Sequence, residues 1–126
     1  MQKGSNMSAM QRRKGAAGER EVLKLLGLEL GEIFTRNLEQ TRNGGADCLE
    51  VKGWAIEIKR QESLSRPAWW RQACEQAKRV GAEPMLLYRR SREPWQAFIH
   101  VGDGKYREGT LQDAASAIRE KWLAWP

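Results

Sequence analysis

Three observations predict an α/β fold: one domain, with a central mixed five-stranded sheet flanked by helices. Apolar residues recur at helical spacing in three stretches, short β-branched and aromatic runs lie between them, and glycine or proline punctuates most boundaries. The element order they give is α-β-β-β-α-β-β-α. A chain of 126 residues has room for one hydrophobic core and little more.

The N-terminal residues, polar and small, form a basic arm over 1–11, and the folded domain follows over 12–126. From Arg12 to Leu28, Ala16, Ala17, Val22, Leu25 and Leu26 mark one face of a first helix, which Gly31 ends. Glu32 to Asn37 reads as a short strand, Gly44-Gly45 as a turn, and Ala46 to Val51 as a second strand. Lys52-Gly53 is a tight hairpin turn into a third strand, Trp54 to Lys59. In that strand Trp54, Ile56 and Ile58 share one face, and Ala55, Glu57 and Lys59 the other.

Ser65 stands at an N-cap and Pro67 in the first turn of a second helix, whose stripe is Trp70, Ala73, Cys74, Ala77 and Val80. Gly81 closes it. Pro84 to Arg89 and Trp95 to Val101 are the fourth and fifth strands, joined by a turn around Glu93-Pro94. Thr110 and Asp113 start a final helix over about 110–125, carried by Ala114, Ala117, Ile118, Trp122 and Leu123.

Composition excludes several chemistries. No apolar run approaches the roughly 18–20 residues that span a bilayer. The basic N-terminus lacks the apolar stretch of a signal peptide, which points to the cytoplasm. Two cysteines, Cys48 and Cys74, are too few for a disulfide framework or a zinc cluster and read as reduced, packed groups. His100 is the one histidine, so multi-histidine metal sites are ruled out, and a Ser-His-Asp triad could use only that residue. Any metal here must sit on oxygen ligands, which selects magnesium, calcium or manganese. With 22 Lys and Arg against 16 Asp and Glu, the net charge of +6 suits a polyanionic partner.

The segment GGADCLEVKGWAIEIK concentrates the chemistry. Pairing across Lys52-Gly53 can bring Asp47 near Glu57, and two close carboxylates plus backbone carbonyls suit a hard divalent cation. Lys59 would offset their field, act on an attacking water, or stabilise charge on a phosphoryl group. A solvated alternating face explains Glu-X-Lys equally well from spacing alone. Against it stand the apolar neighbours Ile56 and Ile58 and the open backbone at Gly44-Gly45.

RKGAAGEREVLKLL, then Arg36, GGAD, EIK, and a helix running into GAEP and an apolar strand together resemble the PD-(D/E)XK nuclease superfamily. Within it the likeness is to archaeal-type Holliday junction resolvases and Hjc-like nucleases encoded by phages, the latter also through RNLEQ, EIKRQE, WWRQ, LLYR and EPW. It covers roughly residues 12 to 99; the stretch from about Gly102 has no counterpart, and its helix is read as extending a dimer interface or covering a sheet edge. The family's proline before the aspartate is Ala46 here.

The resemblance implies a restriction-endonuclease-like domain with Asp47, Glu57 and the Ile58 carbonyl as metal ligands, Lys59 as catalytic lysine and Glu19 completing the site. It further implies Mg²⁺, with Mn²⁺ substituting, and a homodimer acting on branched DNA such as a four-way junction. Glu19 could instead pair with Arg20 or Lys24 on a solvated helix. Arg13, Lys14, Arg20, Arg36 and Arg60 are the candidate DNA contacts, and Gln72 a candidate for orienting the water or Lys59. Trp69 and Trp70 read as core rather than base-stacking residues, and Trp95, Trp122 and Trp125 as core or interface. The expected function is a metal-dependent endonuclease on structured DNA. A same-superfamily nuclease on duplex, flap or single strands, or a non-catalytic DNA-binding protein of the same fold, is the alternative.

Overall fold

A computed structural model describes residues 9–31 and 48–124, with side chains from Ala17 and from Val51 onward in those two stretches. The elements are α1 (Ala9–Leu30), β1 (Cys48–Val51), β2 (Trp54–Arg60), α2 (Arg66–Val80), β3 (Glu83–Arg89), β4 (Gln96–Gly102), β5 (Lys105–Thr110) and α3 (Leu111–Ala124). The expected strand over 32–37, the turn at Gly44-Gly45, the first residues of the strand expected over 46–51, and Trp125 lie outside the described residues.

The described strands form one sheet in the order β1-β2-β3-β4-β5, with β2 and β3 parallel and the other pairs antiparallel. Because β2 and β3 run the same way, the chain must cross over between them, and α2 is that crossover. Alternation along the strands then sorts side chains to two faces. On one face Trp54, Ile56, Ile58, Met85, Leu87, Ala97 and Ile99 pack with Val22 and Leu26 of α1 and Ala114 and Ile118 of α3. On the other, Leu86, Tyr88 and Phe98 pack with Trp69, Trp70 and Ala73 of α2, while Ala55 meets Ala77. The result is a sheet between two helical layers. No described helix is long and apolar enough to cross a membrane.

Several local expectations hold for identifiable reasons. Lys52 and Gly53 make a two-residue hairpin, closing Val51 on Trp54, with Gly53 at a φ of 87° that a side chain would resist. Gly81 takes the left-handed conformation at the end of α2, and the Ala82 N–H donates to the Ala77 carbonyl, satisfying an end carbonyl of the helix. Thr110 and Asp113 cap α3 reciprocally, each side chain accepting from the other's backbone N–H at 3.1 and 2.9 Å. Trp69, Trp70 and Trp95 are buried, as core residues should be. Cys74 is a free thiol packed beside the α2 cluster, and burial pushes its pKa up.

Other expectations need correction. The order α-β-β-β-α-β-β-α misses β5, an exposed polar strand (KYREGT) with no apolar alternation. Pairing with β4 makes it a strand, through a turn where Asp103 and Gly104 both have positive φ, the Asp-Gly signature of a tight hairpin. The five described strands are therefore not the five expected. α1 begins at Ala9, earlier than Arg12 and within the stretch assigned to the arm. Ser65 occupies the N-cap position of α2 but makes no side-chain cap bond, and Val80, placed on the apolar stripe, is exposed. The final helix packs on β4 and on the edge strand β5. It lies across the α1 face of the sheet, where the Trp122 indole N–H donates to the Lys52 carbonyl.

Candidate active site

β2 runs through the sheet between β1 and β3, and its odd-numbered residues face α2. Glu57 stands opposite Leu86 on β3, and Lys59 opposite Tyr88. The Glu57 side chain has no solvent exposure, and Lys59 Nζ lies 3.5 Å from its Oε1. A carboxylate is kept in such a place only where something positive meets it, because removing an ion from water costs several kcal/mol, roughly, even after relaxation. The β1 ladder ends at Cys48 opposite Glu57. Beyond that pair, the residues that would lie opposite Ile58 and Lys59 on the β1 side fall outside the described residues.

α2 supplies the roof. Trp69, Ala73, Gln76 and Ala77 are buried and Gln72 is half-buried, a stripe at helical spacing turned toward the sheet. Gln76 is a buried polar residue on that face and was not among the expected site residues, although its position one turn beyond Gln72, between Ala73 and Ala77, marks the inner face. Tyr88 was also missed. Strand alternation alone puts it beside Lys59, and its hydroxyl accepts a hydrogen bond from Arg66, which raises the guanidinium's already high pKa.

The remaining expected residues divide. Gly18 of α1 packs against Arg60, so close that a Cβ there would lie 2.9 Å from the Arg60 Cβ. Glu19 follows it, half-buried, and Arg20 is exposed. α1 thus lies on the opposite face of β2 from Glu57 and Lys59. Arg60 is half-buried at the end of β2, on the α1 side. Arg13 and Lys14 fall within α1. Asp47 and Arg36 lie outside the described residues. Glu21, quoted in the sequence motif without a role, accepts hydrogen bonds from Arg89 Nη1 at 3.1 Å and from the Trp95 indole.

The described residues contain no group of three or more His, Cys, Asp or Glu side chains placed to hold a metal. Glu57 with the neighbouring main chain is a partial, all-oxygen donor set, of the kind a hard divalent cation accepts.

The sequence matches the model of the phage PDDEXK endonuclease family over residues 10–121, most of its length. The chain belongs to that family. The matched residues take in β1 to β5 and α2, with most of α1 and α3. Among solved structures, the chain is similar to Hjc, a Holliday junction resolvase from the archaeon Archaeoglobus fulgidus, at 19% identity and a TM-score of 0.44, over 84% of this chain and 96% of that one. No curated protein matches significantly.

Proposed function

We propose that this PDDEXK nuclease is a metal-dependent endonuclease that hydrolyses phosphodiester bonds in structured DNA, with four-way junctions its preferred substrate and a homodimer its working form. The observation that carries the proposal is the buried Glu57 carboxylate with Lys59 Nζ 3.5 Å away on the same face of β2. Family membership and the basic composition support it.

Glu57, the Ile58 carbonyl and Asp47 would hold Mg²⁺ or Mn²⁺; Glu19, on the α1 side of β2, would complete the set only by reaching around the carboxyl end of that strand. When bound, the cation would lower the pKa of a water and neutralise charge on the phosphoryl group. Lys59 keeps a positive charge beside Glu57 and presents it to the scissile phosphate, where it stabilises the charge that develops. Gln72, half-buried on α2, would orient the attacking water or the Lys59 ammonium. Arg20, Arg36 and the basic residues of the first helix would contact flanking phosphates.

The reading imposes a condition on Asp47. Cys48 is in register with Glu57, and regular alternation would turn the residue before it to the other face. For both carboxylates to share one cation, the ladder would have to be broken at Asp47, and the nearby Gly44-Gly45 would permit that.

Cleavage of a labelled four-way junction and of a linear duplex of equal length, each with Mg²⁺, Mn²⁺ or Ca²⁺, tests the proposal. Paired symmetric nicks in the junction alone are the expected result, lost with binding retained in Asp47→Asn and Lys59→Ala. Full activity in either variant defeats the assignment. Equal cutting of the linear duplex defeats the junction preference and leaves the nuclease.

A further inference from the structure

Consecutive residues of a strand point to opposite faces, so Lys59 and Arg60 straddle the carboxyl end of β2. On the α1 side Arg60 is in register with Arg89, the last residue of β3. Two guanidiniums on neighbouring strands repel, and each here is only partly exposed. The Nε atoms of both are buried without a hydrogen-bond partner among the described residues. One carboxylate, Glu21, serves the pair, and it takes Arg89 Nη1 alone. Among the described residues Arg60 has no carboxylate partner. Buried or half-buried cations in proteins are normally matched by anions, and among the described residues this pair of guanidiniums has one carboxylate between them.

The two side chains are also held. The Arg60 stem is packed under α1, where a Cβ added to Gly18 would lie 2.9 Å from Arg60 Cβ and 3.6 Å from the Trp95 ring. Arg89 lies over the Trp95 ring, 5.8 Å from its centroid, while the indole N–H of Trp95 donates to the same Glu21 carboxylate. Bracing a guanidinium in this way lowers the entropy cost of ordering it on a ligand, and the part-exposed fork of each arginine suits phosphate oxygens.

We propose that Arg60 and Arg89, braced by Gly18, Glu21 and Trp95, form a phosphate-binding site for the nucleic-acid backbone on the α1 side of the sheet, flanking the position of the cut. The inference rests on the nuclease reading for its ligand class. A strand whose scissile phosphate meets Lys59 near the carboxyl end of β2 passes next over Arg60, and the Arg60–Arg89 pair takes a neighbouring phosphodiester.

The test is equilibrium binding of a fluorescent DNA duplex and a four-way junction, by anisotropy in Ca²⁺, as a function of salt. Arg60→Gln and Arg89→Gln should each weaken binding roughly 3- to 10-fold and lower the salt-dependence slope by about one unit. Lys78→Gln, exposed on α2, is the control and should change neither. Arg60→Lys with Arg89→Lys keeps the charges without the forks, and should retain the slope while losing affinity. Wild-type affinity and slope in a normally melting Arg60→Gln/Arg89→Gln variant overturns the site. If the double Gln variant does not fold, wild-type affinity in the double Lys variant overturns it. A wild-type protein that cuts nothing, yet binds DNA through these two arginines, overturns the nuclease reading and leaves this one standing. Cleavage by a protein whose binding ignores both arginines does the reverse.

Discussion

Lys59 Nζ stands 3.5 Å from the Oε1 of Glu57, two residues away on the same face of β2, and the carboxylate it meets is wholly buried. A strand designed only for packing would put an apolar side chain at position 57, since its neighbours Ile56 and Ile58 and its cross-strand partner Leu86 are apolar and buried. A buried charge costs stability, and the proposed role in cleavage would account for its place here. Glu57→Gln keeps the shape and removes the charge. It should reduce cleavage at least ~100-fold while leaving the thermal midpoint equal to or above that of the wild type. Gel-based cleavage and a melting curve on one preparation decide it, and a lowered midpoint with activity retained contradicts the assignment.

Gly18 governs how α1 seats on the sheet. A Cβ at this position would lie 2.9 Å from the Arg60 Cβ, a distance real Cβ atoms essentially never show, and 3.3 Å from its Cδ. Part of the clash falls on the arginine's flexible stem, but its Cβ is fixed by β2. Gly18→Ala should therefore destabilise the fold by about 1–3 kcal/mol, the usual cost of overpacking, despite alanine's better helix propensity. Urea unfolding measures it; a stabilised variant would show that α1 can lift without loss.

What could be read from the sequence, and what could not, follows from how local each signal is. Glu57 and Lys59 on one face, the Lys52-Gly53 turn, the Gly81 stop and the Thr110–Asp113 cap all depend on spacings of a few residues. The structure carries each of them. β5 depends on a partner instead: nothing in KYREGT predicts a strand except the Asp103-Gly104 turn that folds it onto β4. Glu21, Gln76 and Tyr88 were overlooked because their importance comes from what the fold brings to them, Trp95 and Arg89 for Glu21, α2 packing for Gln76, and the register with Lys59 for Tyr88. Helical and strand periodicity would have placed the last two on the correct face.

Glu83 ties three elements together at the amino end of β3. Its Oε1 meets His100 Nδ1 on β4 at 3.0 Å and its Oε2 accepts from Lys121 Nζ on α3. Burial by itself would raise its pKa, but the hydrogen bonds and charges of Lys121 and His100 outweigh that and hold it below the ordinary value. A depressed carboxylate contributes stability that is complete above its unfolded pKa, about 4.3, and is lost as pH falls through the folded value. The protein should therefore lose stability below about pH 4.3 more steeply than Lys121→Met does. Because Glu83 is partly exposed, Lys121→Met should cost only about 0.5 kcal/mol at neutral pH. Denaturant midpoints at pH 7 and pH 3.5 read both effects, and parallel curves for the two proteins would exclude this coupling.

Gly53 sets the register on which the candidate site depends. The hairpin closes with Val51 opposite Trp54, and counting back from that turn puts Cys48 opposite Glu57. Gly53 has a φ of 87°, and its carbonyl accepts the Glu83 N–H at 3.0 Å, so the turn is also bound to β3. A β-branched side chain in this backbone conformation is strained by roughly 1–3 kcal/mol, whereas asparagine visits positive φ far more readily. Gly53→Val should lower stability by that amount, and Gly53→Asn by much less. If the turn positions the cutting residues, Gly53→Val should also lose cleavage at a temperature where the variant is still fully folded, because a one-residue slip of β1 moves every side chain before the turn to the other face. Cleavage rates for both variants, taken well below their melting points, separate this from simple unfolding: equal rates would show that the site does not depend on the β1 register.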